Sequence, residues 1–425
     1  RNLVVMRSVL LAIASALAVI HSVDAAFCHG KPSPYAQPSN YSINTGAPRF
    51  INETSNAKLY MAGEPGFEFY VIHIWGSAYD LGYAHGSILR DSAQRMVNRT
   101  WAYLESQVEQ ELSGLPTWLQ QIISNFGLDV ALDLTWDLVK DFTPQHFVDE
   151  MQGLADAAGV DYDTVRRIHL IGELTQGDCS MYGASGSATA STGKTLQMRT
   201  LDWDVDGPFK DYPAVVVYHP EEGHAFANVG FLGWVGALSG QSVQQMAISE
   251  IGVAFPDSTF GNMSRQGVPF TFLLRDIMQF DNSYTDSIHR IQTANRTCDL
   301  ILGVGDGKAE TFVGFEYSHS VADVITPTTL RPVNDTWHPQ IPDVTYWGMD
   351  WLCPGYNLVL SEQLQKYHGV LTPENTISHV IPLTETGNVH AVVYDLTDQQ
   401  MYVSYARPDG STVGPPLAYS RQFTQ

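Results

Sequence analysis

Basic residues are scarce in this chain: its 425 residues carry 23 Lys and Arg against 45 Asp and Glu, a formal charge of −22. Such a surface repels a phosphate backbone, which excludes nucleic acid as a partner, and it is not drawn to an anionic bilayer by charge. Cysteine is scarcer still, with Cys28, Cys179, Cys298 and Cys353 alone. No Cys-x-x-Cys or His-x-x-x-His spacing occurs, so a structural zinc site is not expected. Asp202, Asp204 and Asp206 alternate as calcium ligands do, but the glutamate that closes a calcium loop is missing, and no metal is assigned. The chain also lacks a Gly-x-Gly-x-x-Gly turn after a strand and a phosphate-binding loop, so no cofactor is implied. Its "GASGS" (183–187) has no strand–Ser–helix setting and is not a serine-hydrolase elbow. Repeats, coiled-coil heptads and low-complexity tracts are missing as well.

Long apolar runs are rare, and the clearest lies near the N-terminus. Met6-Arg7 opens a short basic region, Val9 to Ile20 is a 12-residue apolar core, and "HSVDAA" places Val23 and Ala25 for cleavage after Ala25. Residues 1–25 therefore read as a secretory signal, too short for a comfortable membrane span, with a signal anchor as the alternative and residues 1–5 as upstream translation. No later run has 18 uninterrupted apolar residues, so the mature chain is expected to have no transmembrane segment. Six Asn-x-Ser/Thr sequons, at Asn40, Asn52, Asn98, Asn262, Asn295 and Asn334, agree with export and glycosylation. The expected compartment is lysosomal or extracellular. There an even cysteine count suggests disulfides. Cys298 and Cys353 are the candidate pair, with Cys28 left over, and a disulfide is also the plain account of Cys179.

Residues 26–66 are rich in Pro, Gly, Asn and Ser and read as an irregular lead-in. "FEFYVIHIWG" (67–76) has strand composition, and a helix with Ser77 and Asp80 at its cap follows. The segment 115–142 is apolar on more than one face. It reads as core helices, or alternatively as a hairpin facing lipid or substrate in transient membrane-surface contact. Helices follow at 144–160, stopping at Gly159, and after Asp161. Beyond Cys179 short strand-like runs take over, interrupted by one long helix over 269–294. The first part is thus helical (26–178), the second strand-rich (179–425), and the boundary falls at Cys179.

A cysteine at such a boundary has a specific use. A thiol needs a base or a positive neighbour to become a thiolate, and a free α-amino group is the one weak base a chain can make by cutting itself. Cleavage between Asp178 and Cys179 would give one residue that holds nucleophile and base together. Arg199 and Asp202, in an Arg-x-x-Asp spacing, return along the next strand-like run.

These stretches resemble the N-terminal-nucleophile (Ntn) hydrolases, in the branch of penicillin acyltransferase-like proteins. Acid ceramidase, N-acylethanolamine acid amidase and choloylglycine hydrolases are more distantly similar. "EMQGLADAAGVDYDTVRRIHLIGEL", "DCSMYGASGSATASTGKTLQMRTLDWD", "ISEIGVAF", "GVPFTFLLRDIMQF" and "CDLILGVGDGKAETFVGFEYS" follow in that family's order and cover most of residues 68–405. The resemblance implies an α+β fold, a four-layer αββα sandwich with a helical N-terminal segment. It also implies self-cleavage before Cys179 and hydrolysis or transfer of an acyl group from a linear amide. By motif, Cys179 is the nucleophile, Asp202 holds its amine or thiol, and Arg199 orients substrate or stabilises charge. The plain alternative for the last two is a structural Arg–Asp pair. The oxyanion positions depart from the family's pattern: relatives carry Asn-Glu where this chain has Ser249-Glu250, and an Asn near "YWGMDWL" where it has Asp350. An ionised Asp350 would repel an oxyanion, whereas a protonated one could donate to it. His85 reads as a cleft residue or a satisfied structural histidine, and His390 as structural.

The expected partner is a small acyl amide, with the two fragments staying associated after cleavage. A lipid amide of ceramide or N-acylethanolamine type is one substrate reading; a peptide-like or β-lactam amide, cleaved or transferred, is another. The competing class is an exported glycoprotein that keeps the fold without activity.

Overall fold

The structure, a computed structural model, describes residues 31, 33–111, 123–124, 127–173, 178–203, 205, 207–253, 256–262, 264–348, 354–407 and 419–425. The expected signal segment, Cys28, Asp350 and Cys353 lie outside these residues, as does much of the apolar stretch after 111.

In chain order the elements are β1 (Arg49–Glu53), β2 (Ala57–Ala62), β3 (Phe69–Gly76), α1 (Ala78–Ile88), α2 (Arg90–Glu111), α3 (Leu128–Val139), α4 (Gln145–Ala158) and α5 (Tyr162–His169). From the cysteine onward come β4 (Asp178–Ala184), β5 (Leu196–Asp202), β6 (Pro213–Pro220), β7 (Phe226–Phe231), β8 (Gly240–Ser242) and β9 (Met246–Gly252). Then follow α6 (Phe270–Phe280), α7 (Tyr284–Thr293), β10 (Leu300–Asp306), β11 (Thr311–Tyr317), β12 (Ala322–Ile325), β13 (Val344–Gly348), α8 (Pro354–Lys366), β14 (His390–Asp395) and β15 (Gln400–Tyr405).

Ten strands form one sheet in the order β1-β2-β3-β6-β7-β8-β9-β10-β11-β12, and five form a second, β13-β4-β5-β14-β15. Among the described strands, β3 and β6 form the one parallel pair, which requires a long crossover. The helices α1 to α5 and the β4–β5 hairpin supply it. The sheets stack with β4 and β5 over β9, and α1, α6 and α7 cover the outer face of the large sheet. On the far side α8 lies on β13, and the turn Pro373–Asn375 on β14. Helix, sheet, sheet, helix is the αββα sandwich expected from the sequence. Strongly apolar strands such as β14, all of whose residues are buried, follow from burial on both faces.

Two close approaches fix the layers. The α1 and α4 backbones meet at glycines: a Cβ on Gly82 would stand 1.9 Å from the Glu150 carbonyl oxygen, and one on Gly153 would stand 2.2 Å from that of Tyr79. Between the sheets the Phe312 ring fills the space over Gly183, where a Cβ would fall 1.9 Å from its Cγ. Helix α1 starts at a capping box, Ser77 and Asp80 each bonding the other's backbone N–H, which closes two orphan donors.

Three sequence expectations need correction. The lead-in contains the β1–β2 hairpin. The helix after Ser77 breaks at Leu89 (φ −136°, ψ 50°) into α1 and α2. The long helix over 269–294 is interrupted at 281–283, where Asp281 is extended and Ser283 caps α7 through Asp286 N–H. The part before Cys179 is therefore not purely helical, since its β1, β2 and β3 complete the large sheet. No described helix is long and apolar enough to cross a membrane.

Candidate active site

Cys179 is the second residue of β4 and is buried. The β4–β5 ladder sets Cys179 opposite Leu201, Asp178 opposite Asp202, and Met181 opposite Arg199. Side chains alternate along a strand, so Arg199, one pleat along, shares the face of Cys179. Its guanidinium is fully buried and lies at the centre of the site. Nη2 donates to Cys179 Sγ (3.3 Å) and to Glu250 Oε2 (3.1 Å), while Nη1 meets His390 Nε2 at 3.2 Å. Cys179 is present as a thiol rather than as half of a disulfide.

Arginine has donors only, so His390 Nε2 is an acceptor and its ring is neutral. Ser239 Oγ lies 2.9 Å from the same nitrogen. Burial, with the nearby Arg199 and Arg421 charges, holds the His390 pKa well below its ordinary value. Burial pushes the Glu250 carboxyl up, and the Arg199 charge opposes that rise without cancelling it. One cation thus serves a thiol, a carboxylate and a neutral imidazole. Such a cation favours the thiolate electrostatically, and more so in a dry site.

Asp202 lies one register step further, at the end of β5. Oδ1 accepts from the N–H of Gly387 (2.8 Å) and Asn388 (2.9 Å), and Oδ2 from Thr386 Oγ1 (2.7 Å). Its carboxylate anchors the turn that delivers Val389 and His390 to the site. Burial raises its pKa, against the lowering effect of those bonds. Thr386 Oγ1 also lies 3.0 Å from Ser180 Oγ, tying Asp202 to the residue after the nucleophile.

Cys179 opens on a cavity of about 70 Å³ lined by Leu201, Trp203, Phe209, Phe231, Trp234, Leu238, Phe270 and Val389, with Ile171 and Gly172 from before the cysteine. Among the described residues of that wall, Glu250 is the one charged group. Such a surface takes an apolar group and orients it by few polar contacts.

Among the remaining sequence candidates, Ser249 is buried and accepts from Gln197 Nε2 at 2.5 Å. The expected Cys298–Cys353 disulfide is overturned at its first member. Cys298 is a free, buried thiol that donates to Glu173 Oε2 at 3.2 Å, and burial beside that carboxylate lifts its pKa well above the usual thiol value. His85 is structural, its Nε2 accepting from Gly233 N–H at 2.9 Å. Glu250 and His390 were missed as site residues. Glu250 was legible in the "SEIG" stretch as the only carboxylate beside Ser249, whereas nothing local marked His390. Sequon residues Asn40, Asn52, Asn98, Asn262 and Asn295 are exposed, and Asn334 is half-buried.

No family model matches the chain. It is 36% identical to protein dcd1A of Dictyostelium discoideum over 421 residues, spanning 94% of this chain and 92% of that protein. It is 33% identical to dcd1B of the same organism over 404 residues, 91% of this chain and 79% of the relative. The chain belongs to the family of these dcd1 proteins. Among solved structures, a Caenorhabditis elegans N-acylethanolamine-hydrolyzing acid amidase ortholog superposes with TM-score 0.39 at 15% identity, covering 58% of this chain and 98% of that one. At that score the fold assignment rests on the chain's own sheet order.

Proposed function

We propose that this protein is a self-processing cysteine amide hydrolase that cleaves an N-acyl amide with an apolar acyl group. The observation that carries the reading is the buried Cys179 thiol, paired with Arg199 and opening on a cavity whose described lining is apolar apart from Glu250. In the processing step the thiol adds to the Asp178 carbonyl and the Asp178–Cys179 C–N bond breaks. A thioester then joins Asp178 to Sγ, and the nitrogen becomes the free α-amine of Cys179. Water hydrolyses the thioester, leaving a carboxyl at Asp178 and the thiol restored. In turnover the α-amine takes the thiol proton, the thiolate adds to the substrate carbonyl, and the leaving amine departs with that proton. Water then releases the acid. Arg199 stabilises the thiolate, and Asp202 holds the turn that bears His390 beside it.

A ceramide or N-acylethanolamine type of substrate fits the aromatic and aliphatic wall better than a polar peptide-like amide. Exposure of five sequon asparagines supports passage through the secretory pathway. The two parts are expected to stay associated, since β3 of one is hydrogen-bonded to β6 of the other. A reducing gel tests the proposal: purified parent should give two fragments with a new N-terminus at Cys179, and Cys179→Ala one intact chain. A parent that stays intact and releases no acid from any acyl amide would sink it.

A further inference from the structure

The connection between β7 and β8 is buried along almost its whole length. Buried backbone must find partners, and this loop finds several in side chains from elsewhere in the fold. Gly233 N–H donates to His85 Nε2 of α1 (2.9 Å), and Val235 N–H to His169 Nε2 of α5 (2.7 Å). Arg275 Nη1 of α6 donates to the Val235 carbonyl (3.0 Å), and Asn228 Nδ2 of β7 to the Gly236 carbonyl (3.0 Å). Between the two histidine-bound amides sits Trp234, which lines the cavity with Cys179. The His169 ring also stacks on that indole, centroids 4.9 Å apart and planes 27° from parallel.

The state of both imidazoles is dictated by these contacts. A backbone N–H requires an acceptor, so each Nε2 is unprotonated. His169 Nδ1 then donates to the Val165 carbonyl at 2.7 Å, which fixes its tautomer. Around the pair stand the Arg275 guanidinium, 2.6 Å from Glu150, and the rings of Tyr218, Phe226 and Phe147. A positive charge beside both rings reinforces their neutral form.

We propose that His85 and His169 are positioning residues that set which acyl group the cavity accepts, by holding Trp234 in its wall. This deepens the amidase reading and rests on it for the identity of the ligand. Both histidines lie before the Asp178–Cys179 bond, whereas Trp234 and the nucleophile lie after it. The N-terminal part therefore acts as the gauge of the pocket while the other part carries the thiol. Neither histidine touches the reacting atoms; they act through the loop.

The test compares His169→Gln, whose amide oxygen reaches roughly where Nε2 stood, with His169→Asn, which falls short of Val235. His85→Gln and His85→Asn form a parallel pair. Each is assayed on coumarin amides with acyl groups from acetyl to palmitoyl, and for the pH profile of Cys179 alkylation by iodoacetamide. The Asn variants should shift the ratio of kcat/KM for long over short acyl groups by about tenfold or more, since a displaced apolar wall discriminates at that scale. The Gln variants should restore the parent ratio, and the alkylation profile should be unmoved in all. A uniform loss over all chain lengths, an altered alkylation profile, or no change in the ratio would overturn the proposal. A second measurement is independent of turnover and of Asn-variant activity: fatty acids of graded length titrated into Cys179→Ala protein, followed by tryptophan fluorescence. His169→Gln and His169→Asn are placed on that background. A changed length preference in the Asn background alone, with a parent that hydrolyses no amide, refutes the amidase reading and keeps the positioning role. An unchanged preference refutes the role whatever the enzyme does.

Discussion

Acid should weaken the contact between the histidines and their loop, and the cost can be worked from the structure. Burial, with the nearby Arg275 charge and the other imidazole, holds His85 at about 3. For His169 burial outweighs the Val165 carbonyl contact and holds it at about 4. In the unfolded chain each titrates near 6.5, so the folded form binds fewer protons below that pH. The contribution of a group depressed in this way is complete above about pH 6.5 and falls as pH drops, by about 1.4 kcal/mol per unit and per histidine. Between pH 6.5 and 4.5 the pair should therefore lose about 5 kcal/mol. With an unfolding entropy of about 2.1 cal/mol/K per residue over roughly 400 residues, that corresponds to about 6 °C in Tm. The parent curve alone does not isolate this loss, because carboxyls with raised pKa, Glu150 and Asp202 among them, gain stability on acidification. The double variant His85→Gln/His169→Gln keeps acceptors but cannot titrate. The difference in Tm between parent and variant, followed by differential scanning fluorimetry, should be flat above pH 7 and move against the parent on acidification. A difference that stays flat to pH 4.5, or that moves in the parent's favour, would refute neutral imidazoles in the folded loop.

Arg199→Ala should abolish self-cleavage and cost about 3–5 kcal/mol in urea unfolding, because it leaves Glu250 buried without its cation. Arg199→Leu/Glu250→Leu should recover much of that stability and none of the activity. Glu250→Gln removes a carboxyl whose pKa burial has raised, so a step in iodoacetamide reactivity above pH 4.5 should be present in the parent and missing in the variant. Gly82→Ala puts a methyl 1.9 Å from the Glu150 carbonyl oxygen and should destabilise by about 3 kcal/mol or more through parting of α1 from α4, read as a lower Tm at pH 7. Asp202→Asn can keep its oxygen on the Gly387 and Asn388 N–H groups and turn its amide NH2 to Thr386 Oγ1, which can accept; it loses the charge, and should slow processing, by gel time course, more than it lowers Tm.

The parts of this fold that the sequence revealed are those where local chemistry and burial agree. Strands β6, β10, β11 and β14 are apolar runs bounded by turn residues, and they lie deep between layers, so composition located them. Strand β1 was invisible because all five of its residues are exposed; an edge strand buries nothing that periodicity could detect. The break at Leu89 was hidden because both flanking helices keep apolar spacing through it. In the site, Cys179, Arg199 and Asp202 were readable because one hairpin brings them together within 24 residues. Glu250 and His390 join from β9 and β14, and only the stacking of two sheets puts them on Arg199. Cys298 misled for the opposite reason: an even count suggested a partner in sequence, while in space its neighbour is the Glu173 carboxylate.

This distribution also bears on where the chain can work. Acid favours the charged imidazole and the discharged carboxyl, and the structure interleaves buried groups of both kinds. Glu150, pushed up by burial, pairs with the same Arg275 that holds the Val235 carbonyl and presses on both histidines. Discharging Glu150 would leave the Arg275 charge uncompensated next to His85 and His169. That charge would depress their protonation further, just where acid would otherwise pull them from the loop. If the histidines hold the pocket wall, Glu150→Gln, which carries the discharged state at every pH, should keep the chain-length preference the same at pH 4.5 and pH 7, measured on the same amide series. A preference that blurs instead would mean that Glu150 acts only as a packing partner of Arg275.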